Sequence, residues 1–171
     1  SDSGLFTIPT LASDDPEAAK WSKPCLQLAG CLNWVARCTR PDIAFTLSIC
    51  MRHIQGASEI LYRSLLKLLA FLDATADWQV PYGPAARAVL LAHLESHATV
   101  FRADMVKPMD PVTFSDSDGD PNPTQSVLTF LNGGLVLYRV KKLNLHTLSQ
   151  CESEYFAATL AATMLMALDY T

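Results

Sequence analysis

Val112-Thr113-Phe114 alternates apolar and polar residues and runs into Ser115-Asp116-Ser117-Asp118-Gly119-Asp120. Pro121 and Pro123 then mark a turn. Val127 to Leu131 reads as a second strand, Asn132-Gly133-Gly134 as a tight hairpin turn, and Leu135 to Val140 as a third strand. Ser149 to Leu168 carries Tyr155, Ala158, Leu160, Ala162, Leu165 and Leu168 among its apolar positions and reads as one long helix. Ser149 and Glu152 stand at the spacing of a capping box, which satisfies two of the free amide groups at a helix start. The order is therefore strand, strand, strand, helix, with antiparallel strands and carboxylates after the first strand and in the first helical turn.

Upstream of Val112 the periodicity is helical. Leu28, Cys31, Leu32, Val35 and Cys38 recur at helical spacing, and the pattern stops before Pro41. Thr39-Arg40-Pro41-Asp42 reads as the next helix start, because proline suits the first turn and an acid suits the positive end of the helix dipole. Ile43, Leu47, Cys50, Met51 and Ile54 then form a stripe. Ser58 caps a third helix whose buried face is Leu61, Leu65, Leu68, Leu69 and Leu72. The expected fold class is α+β: a helical N-terminal part followed by three antiparallel strands and a long helix. The expected divisions are a polar leader at 1–19, a helical segment at 20–75, an irregular insert at 76–111 and the strand–helix unit at 112–171. Within the insert, Ala85 to His97 has helical spacing. His93 and His97 lie four apart, but Glu95 is displaced from its place in a metalloprotease motif, so these residues read as ordinary helix positions.

Of the 171 residues, 50% are hydrophobic and 18% charged, a globular composition that excludes intrinsic disorder. No apolar run is long enough to span a membrane, and the first ten residues lack the basic-then-apolar pattern of a secretory signal. The five cysteines include no C-x-x-C pair and read as reduced core thiols of an intracellular protein, cytoplasmic or nuclear. The net charge of −4 argues against a general nucleic-acid coat. Seven cations nevertheless face two acids between Lys20 and Leu72, and Arg37, Arg40, Arg52 and Lys67 are the candidates there for a weak phosphate contact. Solvated helix faces explain the same residues.

Asp116 closes a strand, and Glu154 lies one turn into the helix that follows the sheet. Packed together, Asp116 and Glu154, joined by Asp118 and Asp120, could offer hard oxygen ligands to Mg2+ or Mn2+. Phosphodiester hydrolysis by a metal pair needs about three or four such acids. The alternative is a solvated turn plus acids favoured at a helix start.

Two stretches carry a family resemblance. Leu28-Ala29-Gly30-Cys31-Leu32-Asn33-Trp34-Val35-Ala36-Arg37-Cys38-Thr39-Arg40-Pro41-Asp42-Ile43-Ala44-Phe45 resembles the connection segment that follows the reverse transcriptase palm in copia-type retrotransposon polyproteins. Ser115-Asp116-Ser117-Asp118, Asn132-Gly133-Gly134, Tyr138, Lys141-Lys142 and Leu148-Ser149-Gln150-Cys151-Glu152-Ser153-Glu154-Tyr155 resemble the opening half of that family's ribonuclease H domain, in the same order. The resemblance implies that Asp116 matches the first catalytic aspartate and Glu154 the glutamate of the first helix. Gly119 stands where the family has tryptophan, and Val127 where it has glycine. The family's third aspartate lies on a strand beyond that helix, and Asp169, at the helix end, does not match it. No Tyr-x-Asp-Asp polymerase motif occurs.

What the resemblance implies is a retroelement-derived fragment, catalytically inactive alone, that serves as a structural or interaction module. The second reading is a metal-dependent ribonuclease H that cleaves RNA in RNA–DNA hybrids, its missing acids supplied by a partner or by further sequence. A homo-oligomer or protein partner is expected, because the strand at Val112 to Phe114 would present an unpaired edge.

Overall fold

In the computed structural model, which describes residues 8–12, 14–97, 106–107, 109–118 and 122–169, the first helix starts earlier than the apolar recurrence marks. Helix α1 runs Pro16–Cys38, with the Asp15 side chain accepting from the Glu17 amide at 2.8 Å and Pro16 in the first turn. Pro24 sits inside it. An internal proline costs about 3 kcal/mol, which the turns before it offset by burying Ala18 and packing Trp21 against the core. The Trp21 and Tyr62 rings lie 5.2 Å apart. The buried stripe of α1 is Cys25, Ala29, Leu32 and Ala36. It is rotated from the expected one, because small residues let helices approach closely where larger ones would hold them apart.

The chain divides into two units, Ser1–Gln79 and Val80–Thr171. In the first, a 3-10 turn at Pro41–Ile43 leads into α2 (Ala44–Met51), and α3 follows at Glu59–Ala74. Ser58 caps α3, its hydroxyl accepting from the Leu61 amide at 3.3 Å. Ile43, Leu47, Cys50, Leu61, Leu65 and Leu68 join the α1 stripe in one core. Met51 and Leu69, expected in the buried faces of α2 and α3, are exposed. Ile8 reaches the same core, and the Leu11 amide bonds the Gly56 carbonyl at 3.1 Å, so part of the expected leader is packed.

All five cysteines are free, but only Cys25 and Cys50 are buried; Cys31, Cys38 and Cys151 are exposed, which corrects the expectation of five core thiols. Burial pushes the Cys25 and Cys50 thiols up. Alkylation of the native protein is therefore expected to label Cys31, Cys38 and Cys151 and to spare Cys25 and Cys50 until denaturant is added, read by peptide mapping. Native labelling of Cys25 would contradict the packing of α1.

In the second unit, helix α4 (Pro84–His97) precedes strands β1 (Val112–Ser117), β2 (Thr124–Leu131) and β3 (Gly134–Lys142), and α5 (Gln150–Asp169) ends the described chain. The architecture is α+β. The sheet is antiparallel in the order β1-β2-β3, with Phe114 opposite Leu128 and Asp116 opposite Ser126. Asn132 and Gly133, both at positive φ (49° and 82°), make the hairpin turn expected of Asn-Gly. Val127 packs against Ala161 and Met164 of α5, with Leu137 and Leu160 beside them. The expected capping box is half made: Glu152 N donates to Ser149 Oγ at 3.2 Å, but Glu152 Oε2 accepts from Leu148 N at 2.7 Å, one residue before the cap.

Helix α4, which matches the helical spacing of Ala85 to His97, lies on the other face. Its His93 ring is 6.5 Å from that of Phe114, which meets Phe130 edge-on at 5.8 Å. Tyr82 Oη donates to the Leu135 carbonyl at 3.2 Å, and the hairpin glycines abut Tyr82, Ala86 and Arg87. The sheet is thus flanked by α5 on one face and α4 on the other.

Candidate functional site

The candidate acids gather around the C-terminal end of β1. Asp116 is exposed, and its Oδ1 accepts from the Ser117 amide at 2.8 Å. Asp118 is half-buried and closes the loop to β2. Its Oδ1 accepts from the Thr124 amide at 2.7 Å, and its own amide donates to the Thr124 carbonyl at 3.1 Å. One oxygen of Asp118 is therefore committed to loop closure. Asp120 lies outside the described residues.

Strand alternation separates the acids by face. Asp116 shares parity with Val112 and Phe114, the side on which α4 lies, whereas Val127 points to α5. Glu154 is half-buried on the flank of α5, about 100° around the helix from the exposed Tyr155. The structure brings Asp116 and Asp118 to one strand end, and sets Glu154 on the helix across the opposite face. Among the described residues, no three His, Cys, Asp or Glu side chains come together where an ion could be held.

Ser117 and Gln125 face each other in register, both buried, on the α5 side of the sheet. Gln125 Nε2 is buried with no hydrogen-bond partner among the described residues. Nothing in the sequence pattern marks that amide, since a strand glutamine reads as solvated until its register is known.

Among the basic candidates, Arg40 must be removed. It is 8% exposed. Its Nε and Nη2 donate to the two Asp42 carboxylate oxygens at 3.0 and 2.8 Å, and its Nη1 and Nη2 donate to Thr75 O and Oγ1 at 2.9 and 2.6 Å. The Phe71 and Trp78 rings lie 5.6 and 5.8 Å from the guanidinium carbon. A guanidinium so engaged offers nothing to a phosphate. It ties the turn before α2 to the C-terminal end of α3. The hydrogen bonds from Arg40 hold the Asp42 carboxyl below its ordinary value. Arg37 and Lys67 are exposed and Arg52 is half-buried.

Among the described residues, no helix is long and apolar enough to cross a membrane. No protein-family model matches the chain, and no solved structure matches it. Over 139 residues the chain is 26% identical to a Plasmopara viticola protein named Secreted RxLR effector protein 161, an alignment that spans 78% of this chain and 83% of that protein.

Proposed function

We propose that the chain is a piece of a copia-type retroelement polyprotein, spanning its connection segment and the opening of its ribonuclease H unit, and that it acts as a structural or interaction module. The observation that carries this reading is the order β1-β2-β3-α5, with Asp116 near the end of β1 and Glu154 in the first turns of α5, laid over the motifs quoted above. What supports inactivity of the chain alone is the spread of its carboxylates. One oxygen of Asp118 holds a loop, and strand parity sets Asp116 on the sheet face away from α5. Hydrolysis by a metal pair needs acids that converge.

The expected result is no cleavage of an RNA–DNA hybrid in Mg2+ or Mn2+. Cleavage that disappears in an Asp116→Asn variant would overturn the inactive reading in favour of the ribonuclease. Free thiols support residence inside the cell, as cytoplasmic or nuclear protein. The second reading rests on the likeness to a secreted effector: the chain would then be an exported protein that works on a partner. Secretion of the full-length gene product from its own cells would favour that reading over the first.

Self-association is part of the first reading. Strand β1 pairs with β2 along one side, and among the described residues no strand pairs with its other edge. An open edge is a template for pairing unless it is covered or charged.

A further inference from the structure

We propose that two copies of this chain associate through the outward face of α5, as an antiparallel helix pair about a two-fold axis; this rests on the self-association just put forward and names its surface. Helix α5 buries Ser153, Ala157, Ala161 and Met164 toward the sheet. Its opposite face is apolar as well. Tyr155 is 71% and Met166 56% exposed, and Cys151, Ala158, Thr159 and Ala162 on the same face are exposed. A helix apolar on every side is normally buried on every side.

Three observations point to a second copy as the occupant. The first is charge. From Tyr155 to Leu168 there is no charged residue, so this face offers no cation to a phosphate backbone and no ion to a charged partner. Glu152 and Glu154 sit at the N-terminal end and Asp169 at the C-terminal end. An antiparallel pair sets only three acids at each end, Glu152 and Glu154 of one copy with Asp169 of the other, whereas a parallel pair would gather all four glutamates at one end.

The second is size. With the two-fold axis between Ala158 and Thr159, Tyr155 of one copy stands over Ala162 of the other, and Met166 over Cys151. At these positions large residues meet small ones. Beside Cys151 lies an open cavity of about 350 Å3, bounded by Tyr155, Phe156 and Thr159, which can receive the opposing methionine. The third is area. Twenty residues of helix extend about 30 Å. Contact along that length, with the 95% exposed Leu148 at its start, removes on the order of 600 Å2 per chain, at the low end of specific interfaces. The pair should therefore be of micromolar strength.

The test is sedimentation of the full chain across the micromolar range, with Tyr155→Glu and Ala162→Glu, and cross-linking of Met166→Cys by diamide. The expected result is a dimer weakened at least tenfold by either glutamate, with a melting midpoint unchanged at concentrations where the unmodified chain is monomeric, since both positions are exposed. Met166→Cys should give an intermolecular disulfide between Cys151 of one copy and the thiol introduced at position 166 of the other, identified by peptide mapping. A dimer that tolerates Tyr155→Glu and forms no such link overturns this surface while leaving self-association standing, and directs attention to the β1 edge. A monomeric unmodified chain overturns both.

Discussion

Gly133→Ala is expected to destabilise the Val80–Thr171 unit by about 2–5 kcal/mol, enough at the upper end to unfold a marginal domain. Two costs combine. Gly133 has φ 82°, a region that L-residues enter at about 1–2 kcal/mol. A β-carbon at this position would also overlap the backbone of Arg87 and Ala86 at the start of α4. Backbone cannot rotate away as a side chain can, so either the hairpin or α4 must move, at a further cost of about 1–3 kcal/mol. Gly30 is the control. It lies inside α1 with nothing within 4 Å of its would-be β-carbon, so Gly30→Ala should stabilise the protein by about 0.5–1 kcal/mol. Hydrogen exchange of the β2 and β3 amides reads the first effect directly. Protection reduced by less than about 1 kcal/mol in Gly133→Ala would mean that α4 does not seat on the hairpin as described.

That seating shows where the sequence stops being legible. The turn itself is readable, because Asn-Gly followed by glycine needs only local chemistry. The same holds for the caps at Ser58 and Ser149, whose hydroxyls bond amides three residues on. The contact between Tyr82 and Leu135 joins residues 53 apart and leaves no local trace. Helix α4 itself is legible, since Ala85 to His97 has helical spacing, but its contact with the hairpin it supports is not. Helix α1 misleads for a different reason. Counting large apolar residues favours Cys31, Val35 and Cys38, while close helix packing selects Cys25, Ala29 and Ala36.

The candidate site is legible in its membership and not in its geometry. Asp116, Asp118 and Glu154 can be named from order and spacing. Which oxygen closes a loop, and which face of the sheet an acid takes, depend on register. A shift of one residue would exchange the faces. Asp118 is the instructive case, since an acid after a strand reads equally well as a ligand or as a loop staple, and here its Oδ1 staples the loop.

Arg40 reads as a phosphate contact because a cation beside other cations invites that reading, yet its partners Phe71, Thr75 and Trp78 lie more than 30 residues downstream. Its removal should be the most damaging single change in the Ser1–Gln79 unit. Arg40→Ala is expected to lower the thermal midpoint of that unit on the order of 10 °C. It removes the bonds to Thr75, leaves Asp42 without its fork-shaped partner, and takes the cation from beside the Phe71 and Trp78 rings, which themselves meet edge-on. Arg40→Lys should recover little, because an ammonium cannot bond both Asp42 oxygens and Thr75 from one plane or stack on the aromatic faces. The pH dependence follows from the lowered Asp42 carboxyl. A group whose folded pKa is depressed contributes fully above its unfolded value, about 4, and that contribution fades as pH falls through the lower folded value. The native protein should therefore lose stability as pH drops below about 4, and Asp42→Asn should be less stable at neutral pH with a flatter acid limb. Melts monitored by tryptophan fluorescence suit the measurement, because Trp21, Trp34 and Trp78 all belong to this unit. A midpoint in Arg40→Ala within about 2 °C of the unmodified protein, or an Asp42→Asn acid limb as steep as the native one, would show that the clamp does not hold the turn before α2 to the end of α3.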